Sequence, residues 1–201
     1  MNNTFTRAAL LGLAWMTLLA GCAGKTQTMT YYSLYVPRAQ AHGSASAGDT
    51  VSVSVGPVAL PDVLRQSRIA TGGEDGRYRL SEYHRWAGEM DRDMARALAE
   101  RLSQVLGTER VFLFPWDQHA APRFRVLIDV VGMGGSLGRE ATLSARWTLL
   151  DSEGVGRPVV RRTDAAQSLP DAAHASWVAA QQHNIEKLAD DMAAAIAAVR
   201  N

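Results

Sequence analysis

The sequence predicts a mixed α/β (α+β) domain, a mixed β-sheet with two long helices. Three observations predict it. Short segments alternate apolar and polar residues, as in "VSVSV" (51–55), "FRVLIDVV" (124–131) and "ATLSARWTLLD" (141–151), the period of a half-buried strand. Two longer segments, 88–106 and 171–200, repeat apolar residues at helical spacing instead. The composition is globular: of 201 residues, 47% are hydrophobic and 20% charged, and the length suits one domain of ordinary size.

The first residues read as a processed segment and not as part of that domain. "MNNTFTR" is polar and basic, and residues 8–19, "AALLGLAWMTLL", carry no charge. As a helix this run rises about 18 Å, too short for a hydrocarbon core of about 30 Å, so it reads as a signal-peptide apolar region. The single cysteine of the chain comes next, in "LAGC" (19–22). One cysteine builds neither an internal disulfide nor a multi-thiolate metal site. "LAGC" resembles a bacterial lipobox, whose cysteine is acylated and becomes the mature N-terminus. The alternative is an ordinary secretory signal that leaves Cys22 a free thiol. The expected division is residues 1–21 as signal peptide, 22–30 as lipidated tether with Cys22 the lipidation site, and 31–201 as one domain. Removal of the signal takes away Arg7 and balances the remaining bases against the 20 acids. Ala23 stands where an Asp signals inner-membrane retention, so the expected address is the outer membrane, periplasmic face.

Along the domain, "YYSLYV" (31–36) reads as a first strand with Tyr32, Leu34 and Val36 on one face. An Ala/Gly/Ser-rich loop spans 37–49. In 51–55 the valines point one way and Ser52 and Ser54 the other, a strand with one buried face. "RIAT" (68–71) and "RYRLSEYHRW" (77–86) flank "GGEDG", a hairpin. In 88–106, Met90, Met94, Leu98, Leu102 and Val105 form an apolar stripe that Gly107 stops. "VFLF" (111–114) is a short strand closed by Pro115, and a parallel strand–helix–strand crossover is expected. Residues 124–131 and 141–151 form a hairpin, and "PVVRRT" (158–163) is a further strand. The last helix carries Trp177, Ile185, Leu188, Met192, Ile196 and Val199 as its stripe, with Asp171 as a cap.

Little in the chain suggests chemistry. No block of like charge argues for nucleic acid. "GGSLG" (134–138) fits G-x-S-x-G with Ser136 as nucleophile, but that elbow needs a helix after it, and a strand comes next here; a hairpin loop is the plainer reading. His42, His84, His119, His174 and His183 are scattered and read as surface or structural residues, and Asp190 and Asp191 as a solvated helix face. Trp86, Trp116, Trp147 and Trp177 read as core anchors, one or two of which could instead sit at an interface. No metal or cofactor is expected.

The runs "VSVSVGPVALPDVLRQSRIAT" (51–71), "RWAGEMDRDMARALAERLSQVL" (85–106) and "FPW" (114–116), with "LSARWTLLD" and the Ala-rich last helix, resemble the ABC-type transport auxiliary lipoprotein family, which includes the paraquat-inducible protein C lipoproteins. Val63 stands where that family often has an aromatic residue. The resemblance implies a mixed sheet of the anticodon-binding-domain-like kind and no enzymatic activity. It implies work beside a mammalian-cell-entry-type protein, with an ABC permease and ATPase or a paraquat-inducible A-type membrane protein, in moving lipid or other hydrophobic compounds between membranes.

In the segment "PVALPDVL" two prolines stiffen the chain. Pro57, Leu60, Pro61, Leu64 and Arg65 are the expected partner-binding residues, with Leu64 as exposed apolar contact and Arg65 as charged rim. The prolines serve equally well to shape a loop over the core. A domain that holds a small ligand or lipid in its own pocket is the alternative function; a homo-oligomer is possible.

Overall fold

The computed structural model describes residues 27–37, 51–115, 121–152 and 157–200. The signal segment, Cys22, His42, Trp116 and His119 lie outside the described residues. The elements run β1 (Thr30–Tyr32), β2 (Val53–Ala59), a 3₁₀ turn (Asp62–Leu64), β3 (Arg68–Gly72), β4 (Tyr78–Trp86), α1 (Met90–Leu106), β5 (Val111–Leu113), β6 (Phe124–Gly134), β7 (Glu140–Asp151), β8 (Val159–Ser168) and α2 (His174–Arg200). The α+β class and the two long helices agree with the sequence.

The strands form two sheets, where the sequence suggested one. The larger has the order β5-β2-β6-β7-β8, and the smaller β1-β4-β3. In the larger sheet β5 and β6 flank β2, both parallel to it. β6, β7 and β8 continue antiparallel. The expected crossover is therefore present, since the chain leaves β2, makes the β3–β4 hairpin and α1, and returns beside β2 as β5. Both helices cover one face. α1 packs on β2 and β5, α2 on β7 and β8, and the helices pack on each other.

Alternation explains the core. Phe124, Val126, Ile128 and Val130 of β6 and Ala141, Leu143, Ala145, Trp147 and Leu149 of β7 are buried under the helices. The opposite face is open, with Leu127, Val131 and Val160 exposed. β2 departs from the one-sided expectation: Ser52 and Ser54 are buried as well as the valines. Ser52 Oγ accepts the Arg123 N–H at 3.0 Å, which satisfies the buried hydroxyl.

Other boundaries shift for local reasons. β1 ends at Tyr32 because the chain turns to meet the first turn of α1. Asp93 accepts hydrogen bonds from Ser33 Oγ at 2.8 Å and Leu34 N at 2.5 Å. Leu34 is buried by this turn and Val36 is left exposed. α1 ends as expected at Gly107, whose φ of 65° is left-handed. Its stripe stops short of Val105, which is 45% exposed. β8 runs further than the expected 158–163. α2 begins at His174, with the Asp171 carboxylate accepting the Ala173 N–H at 2.9 Å just ahead of it, and Val199 near its far end is exposed.

Buried polar bonds fix α2 in register on the hairpin. The Gly134 carbonyl accepts Trp177 Nε1 at 3.1 Å and Gln181 Nε2 at 2.9 Å, and Asn184 Nδ2 donates to the Ala141 carbonyl at 3.0 Å. Asp190 and Asp191 are not a solvated pair. Asp190 takes both Arg101 Nε and Nη2, at 2.8 and 3.1 Å, tying α2 to α1. Asp191 accepts from Thr163 at 2.9 Å, tying α2 to β8. The Arg101 guanidinium titrates above its ordinary value, chiefly through its hydrogen bonds to Asp190.

Candidate functional site: the carboxyl ends of β2 and β5

Adjacent parallel strands end on the same side of a sheet, which brings their C-terminal extensions together. Here the pairing of β2 with β5 ends at Val55 and Leu113; Gly56-Pro57 follows at the irregularity within β2, and Phe114-Pro115 follows β5. Phe114 N donates to the Val55 carbonyl at 3.0 Å. Both X-Pro bonds are cis. Gly56 has φ +105°, and a Cβ there would lie 3.1 Å from Phe114 Cβ. Glycine thus serves both the left-handed backbone and the close approach of the two chains. Phe114 is 49% exposed and Leu113 37%, and Pro57 and Pro115 are exposed beside them. The result is a small apolar surface with prolines from two strands.

The segment after Pro57 borders this surface. The structure divides the expected partner-binding residues into two groups. Pro57 and Arg65 are exposed and Pro61 is half-buried. Leu60 and Leu64 are buried at 7% and 2% exposure. Leu64 as an exposed apolar contact is therefore corrected: the 3₁₀ turn carries its side chain under β3 and into the core. These leucines hold the segment down. Arg65 Nε donates to the Leu60 carbonyl at 3.2 Å, closing the turn. An open cleft of about 390 Å³ separates this turn from the start of α1, with Val58, Leu60 and Arg65 on one side and Glu89, Asp91 and Arg92 on the other. Arg92 and Glu89 pair across one helical turn at 3.0 Å. The site thus has an apolar step, Pro57 with Leu113 and Phe114, next to a cleft rimmed by both signs of charge.

Sequence reading missed Phe114 and Leu113. The signal that could have found them is "FP" directly after a strand expected to lie parallel to β2, because the pairing sets it against "GP".

The other sequence candidates carry no catalytic geometry. Ser136 lies in the β6–β7 turn, where its carbonyl accepts Arg139 N and Glu140 N at 3.0 and 3.1 Å. A strand comes after it, so the strained elbow of a nucleophilic serine is absent. His84 and His174 stack, with ring centroids 3.9 Å apart and planes 11° from parallel. Tyr32 Oη lies 2.9 Å from His84 Nδ1. Burial, and then the neighbouring His84, lower the pKa of His174 below its ordinary value. Stacked rings do not converge their nitrogens on one point, and among the described residues no group of three or more His, Cys, Asp or Glu could hold a metal. Nor is any described helix long and apolar enough to cross a membrane.

The described residues form an α+β domain with an exposed apolar step beside a cleft of mixed charge. The chain belongs to the ABC-type transport auxiliary lipoprotein component family, whose model matches residues 32–193. That is a transport-auxiliary family and not an enzyme family. Two solved structures share the fold. One, of an uncharacterized protein, is 18% identical with a TM-score of 0.68, covering 84% of this chain and 99% of that one. The other, protein XCC0632 from Xanthomonas campestris, of family DUF330, is 13% identical with a TM-score of 0.57, covering 84% and 85%. No curated protein matches the chain.

Proposed function

We propose that this protein is a non-enzymatic, lipid-anchored component of an intermembrane transport system for lipid or other hydrophobic compounds. Cys22 holds it to the outer membrane, on the periplasmic face. The step formed by Pro57, Leu113, Phe114 and Pro115, with Arg65 at its rim, docks a mammalian-cell-entry-type protein. That protein works with an ABC permease and ATPase or a paraquat-inducible A-type membrane protein. The observation that carries this reading is the half-exposed Phe114, held by Gly56 between two prolines on a domain of a transport-auxiliary family. Aromatic side chains, Phe among them, are enriched at the cores of protein interfaces.

The test pairs binding with stability. Phe114→Asp alters a surface residue, so the melting temperature of the purified protein should move little, within about 0.5 kcal/mol of stability. Pull-down of the co-expressed mammalian-cell-entry-type protein should fall at least tenfold, since a carboxylate would be buried against an apolar partner. Undiminished pull-down would remove this surface from the interface.

One observation favours a second reading, a ligand site in the domain itself. On the open sheet face a mainly apolar cleft of about 340 Å³ lies between the β3–β4 hairpin and β6–β8, walled by Tyr78 and floored by Gly132 and Gly134. A Cβ on Gly132 would meet nothing within 4 Å, so Gly132→Phe should fill the cleft with the fold intact. Lipid recovered by mass spectrometry from the wild type and absent from Gly132→Phe would favour this reading.

A further inference from the structure

The smaller sheet has two faces. Trp86 and Tyr32 lie toward α2, Trp86 beside Trp177 with centroids 6.3 Å apart and Tyr32 beside the His84–His174 stack. Side chains alternate along strands, so Tyr31 and Arg85, which are register partners, point away from α2. Tyr31 is 62% exposed, and Met29, two residues before it, is exposed as well. Arg85 has a second register partner on its other side, Arg68 of β3. Two arginines directly opposite each other repel, yet neither makes an ion pair among the described residues. Arg85 Nη1 donates only to Ser67 Oγ, at 3.3 Å, and its Nε is buried with no hydrogen-bond partner. Glu82 is the one carboxylate of β4. An anion between the guanidinium ends of Arg68 and Arg85 would relieve the repulsion.

The position of this face says which anion. Met29, at its edge, is joined to Cys22 by a stretch that reaches at most about 25 Å when fully extended. Tyrosines that present a ring and a hydroxyl suit the level of lipid headgroups, and arginine takes a phosphate through two donors at once.

We infer that the outer face of the β1-β4-β3 sheet lies on the bilayer, with anionic phospholipid headgroups seated between Arg68 and Arg85 and with Met29 and Tyr31 at the interface. This rests on the reading of Cys22 as the lipid anchor. It sets the domain's orientation: the small sheet is held down against the membrane surface.

The test uses the full-length processed protein reconstituted in vesicles, with Ser67→Cys carrying a fluorophore quenched by spin-labelled headgroups. Arg162→Cys on β8 is the control position. With phosphatidylglycerol in the vesicles, the label at 67 should be quenched and that at 162 should not. Arg68→Glu should weaken the contact by about fivefold or more, the effect of one basic residue near an anionic surface. Equal signals from 67 and 162 in protein that co-floats with vesicles would overturn the orientation and leave the anchor standing. Failure of the wild type to co-float with phosphatidylcholine vesicles would sink the anchor. In that case, binding of wild type and Cys22→Ser alike to phosphatidylglycerol vesicles, abolished by Arg68→Glu, would still uphold the face, and no binding would overturn it too. A response of the label to inorganic phosphate without vesicles would assign the arginine pair to a free anion and overturn the membrane assignment.

Discussion

Gly72 and Gly135 exchange both backbone hydrogen bonds, N···O 2.7 and 2.9 Å, and so join the two sheets. The approach works only because this corner lacks side chains. A Cβ on Gly134 would sit 2.0 Å from the Gly72 carbonyl oxygen, and one on Gly135 2.2 Å from the Glu140 carbonyl oxygen. The same corner supplies the Gly134 carbonyl that binds Trp177 and Gln181, so the sheet junction and the seat of α2 are one unit.

Gly135→Ala should therefore cost more than glycine replacement elsewhere. Gly135 has φ +98° and meets backbone, whereas Gly76, in the β3–β4 turn, has φ +78° and open space around it. Left-handed backbone alone costs about 1–3 kcal/mol for a non-glycine residue. Gly76→Ala should show that loss and Gly135→Ala a larger one. Urea unfolding of the two variants decides it, and equal midpoints would mean that the junction opens without cost.

Trp147 is 1% exposed, and its Nε1 donates to Thr163 Oγ1 at 3.1 Å. Thr163 in turn binds Asp191 of α2. Trp147→Ala should lower stability by about 3–5 kcal/mol. The measurement is thermal or denaturant unfolding, and an unshifted melting temperature would contradict the buried position.

The elements written in local periodicity were legible in the sequence. The β6–β7 hairpin, both helices and the end of α1 at Gly107 needed only the spacing of neighbours. Features that depend on distant partners were not legible. The split into two sheets rests on β1 finding β4, and β1 is shortened by Asp93, far along the chain. Asp190 and Asp191 look like any charged helix pair until Arg101 and Thr163 are placed beside them. At the candidate site the prolines were visible, but a single 3₁₀ turn has no period from which to read which face of Leu64 is covered.

Leu64 now carries a stability prediction in place of a binding one. It packs in the core at 2% exposure. Leu64→Asp should bury an unpaired carboxylate and unfold the domain or lower its stability by several kcal/mol, on the order of 3–5. Leu64→Ala, which only opens a cavity, should cost about 2–5 kcal/mol. Circular dichroism of both variants against temperature checks the pair, and a native melting curve for Leu64→Asp would return the residue to the surface.

His174 gives the domain a stability that depends on pH. Its pKa in the folded protein lies below the ordinary 6.5, through burial and then through His84. Between that lowered value and 6.5 the unfolded chain binds the proton more readily than the folded one does. Stability therefore rises with pH through this window and falls as the pH drops across it. Above the window both states are neutral and the contribution is constant. Protonation would also place a positive charge at the start of α2, where the helix dipole opposes it, and against His84 in the stack. His174→Phe keeps a flat ring beside His84 and removes the titration. Urea unfolding of the wild type should lose midpoint as the pH is lowered from 7 into the acid limb of the histidine range, and the variant should lose less. Parallel pH profiles for the two proteins would assign the loss to other groups and leave the stack without a role in the acid response.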